Sequence, residues 1–492
     1  MMKRLLILLA LCSVIGNLCA QNPIISTWCT PDPAPYVHGD TVYLFADLDK
    51  DTATYFRMPA WQLYSSTDMV NWTFRGRPLS TATFRWARQG DNAWASQAVE
   101  RGGKWYWYVA CEDTTNHLHG IGVAVADHPD GPYHDAIGKP LVPGGWGYID
   151  PTVFVDKDGS AWLFWGNNGL WYARLGNDMV SIIGDITPVD ISDSTAFGPQ
   201  VLKYDYGLGK KTMKGNYEEA PWVYRRGNLY YLEYAAGGVP EHWAYSTAHS
   251  IHGPWTYRGR VMNEAPRSFT IHGGAITVGG RSFMFYHNGL LPWGSGFRRS
   301  TAVEEFRYGR DGSLPFIPFT NHGVVRPLRH LNPYAGVEAE TMSACSNSSM
   351  TVLHGKQNGT GETVRIKTDT LPTWNADGTR NAHYITGMTD GSWTKLRSVD
   401  MAEGARRAMF RVRNVRPGCV IEMHVDSLDG RLLCKAVLPS VGHGWRTVKA
   451  SCLNSITGIH DVYLVYRGAA SRYTNRRDGN LGFDFDEWQF CK

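Results

Sequence analysis

The sequence predicts an all-β protein, a five-bladed β-propeller followed by a β-sandwich of jelly-roll type. Three observations carry this reading. First, one phrase recurs five times, an apolar-aromatic strand, a turn with glycine and a second aromatic strand: APYVHGDTVYLFAD, QAVERGGKWYWYVA, PTVFVDKDGSAWLFWG, APWVYRRGNLYYLEYA and GAITVGGRSFMFYHN. Each is a tight hairpin signal. Second, a further strand–turn–strand phrase follows each one: LYSSTDMVNW, IGVAVADHPDGPY, LWYARLGNDMVSI, WAYSTAHSIHGPW and TAVEEFRYGRDGSL. Five units of about four strands describe a propeller. Third, helical periodicity is scarce, and the repeat gives way near Leu314 to short alternating strands of a different kind.

The elements follow in chain order. Residues 1–20 read as a secretory signal peptide, with Lys3 and Arg4 ahead of a short apolar stretch and Ala20 before the expected cut. Residues 21–325 hold the five repeats, with turn glycines at Gly39, Gly102, Gly159, Gly227 and Gly279. Residues 326–335 contain proline without alternation and read as a linker. Residues 336–492 carry VEAETMSA, AMFRVRNV, VIEMHVDS, DVYLVYRG and FDFDEWQF, which suit a β-sandwich.

Composition excludes several classes. The net charge of +4 over 492 residues, without a Lys/Arg cluster, argues against nucleic acid as a partner. No apolar run beyond the leader is long enough to span a bilayer, so no membrane association is expected after cleavage and the location is secreted or periplasmic. Seven cysteines follow the leader, at 29, 111, 345, 419, 434, 452 and 491. An odd number leaves at least one thiol free, and the pairing cannot be read from spacing. Aromatic residues make up 13%, with 19 Trp, which fits a β-rich core, a sugar-stacking surface, or both.

The residues at the start of each repeat's first strand open onto the propeller axis. They are Asp32-Pro33, Trp94-Ala95-Ser96, Asp150-Pro151, Glu219-Ala220-Pro221 and His272-Gly273-Gly274. Fivefold closure brings three carboxylates and one imidazole around one pocket. An Asp-Pro pair alone is an ordinary turn dipeptide; equivalent placement in several repeats is what makes Asp32, Asp150 and Glu219 a cluster. Crowded carboxylates shift one another's pKa values and are costly to keep, so acid–base work is the natural reading. Acetal cleavage needs a protonated acid at the leaving oxygen and an ionised partner on the opposite face. Strand alternation points Glu218 and Glu219 to opposite faces, and repeat alignment makes Glu219 the inward one. Trp94 reads as a sugar platform or a core aromatic. Arg299 pairs with a carboxylate or hydroxyl, or lies on the surface. His272 reads as a cation ligand on the axis, a support for one, or a polar core residue.

The segments NPIISTWCTPDPAPYVHGDTVYLF, LYSSTDMVNWTFRG, AWASQAVERGGKWYWY, YIDPTVFVDKDGSAWLFWGN, YEEAPWVYRRGNLYYLEYAAGGVPEH and FTIHGGAITVGGRSFMFYHNG resemble glycoside hydrolase family 43 over about Asn22 to Val325. The resemblance implies an inverting enzyme. Asp32 would be the general base, Glu219 the general acid and Asp150 the residue that tunes and orients the acid. It also places Arg299 beside the catalytic region and His272 near an axial cation, often calcium. From Gly336 onward the chain resembles a family 6 carbohydrate-binding module, which implies a structural calcium held by Glu338, Glu340 and Asp486 and a ligand-stacking Trp445. No cofactor is expected for the chemistry. The expected activity is removal of α-L-arabinofuranosyl residues from arabinoxylan or arabinan. A β-xylosidase acting on xylo-oligosaccharides is the near alternative, and a non-catalytic polysaccharide-binding protein the alternative of another class.

Overall fold

The computed structural model describes residues 21–205, 207–346, 365–375, 377–402, 404–453, 455–468 and 481–492. The leader expected at 1–20 lies outside them. Among the described residues the fold is all-β, and helix is confined to Ser194–Phe197 and a 3-10 turn at Thr81–Thr83. None of their helices is long and apolar enough to cross a membrane.

Five antiparallel sheets follow one another in the first part of the chain. The first holds β1 (Ala34–His38), β2 (Thr41–Asp47), β3 (Ala60–Ser66) and β4 (Trp72–Ser80). The second holds β5 (Trp94–Arg101), β6 (Lys104–Glu112), β7 (His119–Ala126), β8 (His134–Asp135) and β9 (Val142–Gly145). The third holds β10 (Thr152–Val155), β11 (Ala161–Trp165), β12 (Leu170–Leu175) and β13 (Ile182–Val189). A separate hairpin, β14 (Val201–Asp205) and β15 (Lys210–Lys214), precedes the fourth, which is β16 (Tyr217–Arg226), β17 (Leu229–Ala236), β18 (His242–Ala248) and β19 (Thr256–Glu264). The fifth is β20 (Gly273–Val278), β21 (Arg281–Asn288) and β22 (Ser300–Phe306).

All five turn glycines named from sequence adopt positive φ. At Gly102-Gly103 and Gly279-Gly280 both residues of the two-residue turn do so, the geometry that matches strand twist and that side chains resist. None of the five sheets closes on itself. Their first strands are neighbours in cyclic order: β1 touches β5, β5 touches β10, β10 touches β16, β16 touches β20 and β20 touches β1.

The fifth unit differs from expectation. GRDGSL forms no fourth strand, because Asp311 accepts from the Ser313 N–H and hydroxyl and turns the chain there. The segment 22–30 lies along β22 instead. Ile24 N–H donates to Thr301 O (2.8 Å), Thr30 N–H to Arg299 O (3.0 Å) and Val303 N–H to Asn22 Oδ1 (3.0 Å). The β14–β15 hairpin was not anticipated from the repeat.

Beyond 336 come β23 (Val337–Glu338), β24 (Thr341–Met342), β25 (Ala344–Cys345), β26 (Lys367–Thr368), β27 (Ile385–Thr386), β28 (Trp393–Asp400), β29 (Arg407–Arg413), β30 (Val420–Val425), β31 (Leu432–Val437), β32 (Arg446–Ser451), β33 (Ile459–Arg467) and β34 (Asp484–Cys491). They form two sheets, β25-β28-β33-β30-β31 and β26-β27-β34-β29-β32, that share one apolar core around Phe410, Ile421, Val462 and Phe485. This part is bound tightly to the first. Strand β24 extends the first sheet by pairing with β4, and the Trp28 indole donates to Thr368 Oγ1 (2.7 Å). Arg397 donates to Val324 O (2.9 Å) and Val325 O (2.6 Å). The 326–335 stretch is itself held, with Leu328 N–H on Asp68 O (2.9 Å) and Leu331 bridged to Val399.

Candidate active site

Asp32, Trp94, Asp150, Glu219, His272 and Arg299 line one cavity of about 250 Å³. The sequence placed five of them at equivalent strand starts, and the cyclic order of β1, β5, β10, β16 and β20 brings these starts together. The backbone is strained at the same points. Asp32, Asp150 and Ala220, which follows Glu219, all have left-handed φ of 51°, 58° and 56°. Such conformations cost of order 1–3 kcal/mol each and persist only where the surroundings enforce them. All three of these residues precede proline, which already disfavours the ordinary helical region.

Each carboxylate has a distinct environment. Asp32 is buried, and its Oδ1 accepts from Arg299 Nη1 at 3.1 Å. His287 Nδ1 lies 3.1 Å and His272 Nδ1 3.7 Å from the same oxygen. Burial alone would raise its pKa. Arg299, then His287 and His272, outweigh burial and hold Asp32 well below the usual carboxylate range. Arg299 is in turn fixed by a two-pronged pair with Asp49, Nε to Oδ2 and Nη2 to Oδ1 both at 3.0 Å. Asp32 is therefore ionised at neutral pH.

Glu219 is the opposite case. Burial, then the charge of Glu218, push its carboxyl up from 4.5 to about 7, against the opposing hydrogen bond that Asn167 Nδ2 donates to Oε2. Asp150 accepts from Ala220 N–H (3.0 Å), and burial followed by the charge of Glu219 raises it well above its ordinary value. One cavity thus holds a committed anion and two carboxyls whose hold on the proton is raised, the separation that acid–base chemistry needs. His272 is pushed down to about 4 by burial and is neutral at pH 7.

Glu218 faces away from the cavity, as strand alternation predicts. It pairs with Lys203 of the β14–β15 hairpin at 2.7 Å, and both side chains are buried. Lys203→Met strands a buried carboxylate and is expected to lower stability by about 3–5 kcal/mol, read by urea unfolding.

Several groups on or behind the cavity wall were not anticipated. Asp49 anchors Arg299; Asp47 is fully buried with neither carboxyl oxygen hydrogen-bonded to a donor. Burial, then the charge of Asp32, raise Asp47 far above its normal range, so it is a neutral acid beside the anion. His287 receives the Asp32 N–H at Nδ1 (3.1 Å) and contacts Thr270 O through Nε2 (3.0 Å). Glu241 is buried beside Glu219 and accepts from Ile271 N–H at 2.9 Å. Trp94 stacks on His119 at 4.1 Å, and Tyr55 and Trp146 stand at the rim, 62% and 87% exposed.

The profile of Glycosyl hydrolases family 43 matches residues 20–314. The chain belongs to this family. The profile of Carbohydrate binding module (family 6) matches residues 360–492 of the same hydrolase. Over 97% of its length the family 43 hydrolase is 30% identical to an "Arabinoxylan arabinofuranohydrolase" of Bacillus subtilis (strain 168), covering 93% of that protein. A second protein of that name, from Paenibacillus polymyxa, is 27% identical over 98% of the chain and 75% of its own length. The crystal structure of a glycoside hydrolase family 43 arabinoxylan arabinofuranohydrolase from Bacillus subtilis in complex with cellotetraose superposes with a TM-score of 0.74 at 26% identity, covering 96% of this chain and 97% of that one.

In the C-terminal part of the hydrolase, Trp445 is not among the cavity-lining residues. It meets Tyr384 edge-on at 5.8 Å, and the Arg413 guanidinium sits 4.5 Å from both ring centres, held by Asp484 at 2.9 Å. The expected stacking face of Trp445 is thus capped by an arginine. Of the three carboxylates expected to hold calcium, Glu338 is gripped by Arg75 Nη1 at 2.9 and 2.8 Å, and Asp486 is paired with Arg411. Glu340 is buried with Oε2 unpartnered, and burial, then the charge of Glu338, raise it well above its normal value. Two of the three are ion-paired within the chain and the third is held toward its neutral form, so the set does not present the open anionic oxygen cage that calcium takes. Among the described residues no three His, Cys, Asp or Glu side chains are grouped to hold a metal, His272 included.

Proposed function

We propose that the chain is an inverting, exo-acting α-L-arabinofuranosidase that removes side-chain arabinose from arabinoxylan or arabinan. Asp32 is the base that activates water, Glu219 the acid that protonates the leaving oxygen, and Asp150 the residue that tunes and orients the acid, through the hydrogen bond it accepts from Ala220 N–H. The observation that carries this reading is the opposed proton affinity of Asp32 and Glu219 within one cavity. The five sheets are proposed to be blades of one propeller around that cavity, a reading supported by the cyclic contacts of β1, β5, β10, β16 and β20. The 21–325 propeller, 326–335 linker and 336–492 sandwich form part of the proposal, as does export after loss of residues 1–20.

The substrate class rests on the two near-full-length relatives named as arabinoxylan arabinofuranohydrolases. Cavity size agrees with exo action: about 250 Å³ lies below the ~300–1,000 Å³ of ordinary ligand pockets and suits one terminal sugar. The test is a panel of aryl α-L-arabinofuranoside, aryl β-D-xyloside and arabinoxylan, with the product followed by NMR. Release of arabinose with inverted anomeric configuration is expected. Turnover of the xyloside alone would assign a β-xylosidase, and no turnover with retained polysaccharide binding would assign a binding protein.

Trp146 offers a largely exposed aromatic face at the rim of the cavity, where a polymer main chain would pass. Trp146→Ala is expected to reduce kcat/KM on arabinoxylan about tenfold while leaving an aryl arabinofuranoside within twofold, because only the polymer reaches that far. Equal losses on both substrates would place Trp146 in the sugar pocket itself.

A further inference from the structure

The C-terminal part contains a thiol pair whose position nothing in the catalytic reading uses. Strand β31 is the edge of one of its sheets and β32 the edge of the other. The two edges meet at a single antiparallel bridge, Cys434 opposite Cys452. The hydrogen bonding around the bridge fixes its type. Leu453 N–H donates to Leu433 O at 2.7 Å, whereas Cys452 N–H goes elsewhere, to Arg406 O at 2.9 Å. The bond therefore flanks the cysteines rather than joining them, which makes this the non-hydrogen-bonded kind of antiparallel pair. In that kind the Cα atoms stand about 4.5 Å apart and the side chains are at their closest. A disulfide requires a Cα separation of about 4.4–6.8 Å. Both residues are free thiols in the structure, Cys434 fully buried and Cys452 partly exposed. Among the described residues no other two cysteines are paired across strands.

We propose that Cys434 and Cys452 form a disulfide that clips the edges of the two C-terminal sheets together when the chain meets a disulfide donor. The exposed thiol reacts first. Cys452 loses its proton, and its thiolate attacks one sulfur of the donor disulfide, expelling one donor thiolate and leaving a mixed disulfide. Cys434 then loses its proton and attacks the Cys452 sulfur, which expels the second donor thiolate. Two protein thiols are oxidised and one donor disulfide is reduced to two thiols, which take up the two protons. The order agrees with the local chemistry: the Cys434 S–H donates toward Cys452, which lowers the pKa of Cys452 and raises that of Cys434. The bond would close both stems of the segment from Leu438 to Trp445, which joins β31 to β32 and carries the capped tryptophan.

The full chain, purified without reductant and incubated with oxidised glutathione, is denatured in iodoacetamide, digested and analysed by mass spectrometry. The expected result is a peptide pair joined through Cys434 and Cys452, with the summed mass less two hydrogens and separable by reduction. Cys29, Cys111, Cys345, Cys419 and Cys491 should carry the alkyl group. Alkylation of both Cys434 and Cys452 in the unreduced sample, or their linkage to other cysteines or to glutathione, would overturn the proposal. Reduction of the oxidised protein is also expected to lower the melting temperature of the C-terminal transition by roughly 5 °C. Cys434→Ala/Cys452→Ala should show no reductant-dependent shift. If that variant does not fold, the peptide map of the wild-type chain decides alone.

Discussion

Asp32→Asn is expected to lose roughly 10³- to 10⁴-fold in kcat, on activated and unactivated substrates alike. Its amide oxygen still accepts from Arg299, and Arg299 stays fixed by its 3.0 Å pair with Asp49, so the cavity wall is preserved. What disappears is the anion proposed to take a proton from water. Asp32 suits that task because the Arg299 guanidinium overcomes burial and keeps it ionised, while Asp47 beside it stays neutral and adds no second charge. A water activator is needed whatever the leaving group, so substituting a better leaving group should rescue little. Activity within tenfold of wild type, with an unchanged melting temperature, would remove Asp32 from the base role. Product NMR on wild type checks the same assignment independently, since a retained anomeric configuration would make the attacking group a nucleophile instead.

The part of the site that was legible in sequence came from the repeat. Asp32, Trp94, Asp150, Glu219 and His272 share a register position in five hairpins, and the fold places all five on one cavity. Arg299 was reached from its place at the opening of a fifth-repeat strand, and the resemblance of its segment set it beside the catalytic region. Asp47 and His287 were missed, though the same hairpins point to them. Ala34 pairs with Phe45 and Gly273 with Tyr286, so continuing each ladder outward puts Asp47 across from Asp32 and His287 across from His272. A polar residue ending an apolar second strand, as in VYLFAD and FMFYHN, was the available signal. Asn167, Trp146 and Glu241 lie on connections whose course no strand pattern determines, and for these no such signal exists. The same limit explains the fifth sheet. Alternation marked β22, but an Asp311 turn and a returning N-terminal segment replaced its expected neighbour, and both depend on long-range contacts. In the C-terminal part, Trp445 and the three acidic residues were found by resemblance. Their partners Arg413, Arg75 and Arg411 were not, because pairing across strands decides them.

Glu219→Gln should separate substrates by leaving group. Arabinoxylan has a poor alkoxide leaving group that must be protonated as the bond breaks, and a loss of about 10²- to 10⁴-fold is expected. An activated aryl arabinofuranoside leaves without much help and should lose less than tenfold. The pH dependence follows from the direction of the shift. Glu219 is raised from 4.5 to about 7, so it is protonated, and competent as an acid, below that value and loses competence as pH rises through it. Wild-type activity on arabinoxylan should therefore fall on the alkaline side with a midpoint near 7. The acid side should stay flat down to about pH 4, since Asp32 remains ionised there and His272 takes its proton only near that value. Glu218 bears directly on that midpoint, because its charge is the largest influence on Glu219 after burial, and Lys203 pairs with it. Glu218→Gln removes the anion and leaves the Lys203 cation nearby. Both changes favour the ionised form of Glu219, so the alkaline limb should move to lower pH. A limb that moves upward, or one that survives in Glu219→Gln, would show that another group supplies the proton, with Asp150 and Glu241 the two raised carboxyls nearest to it.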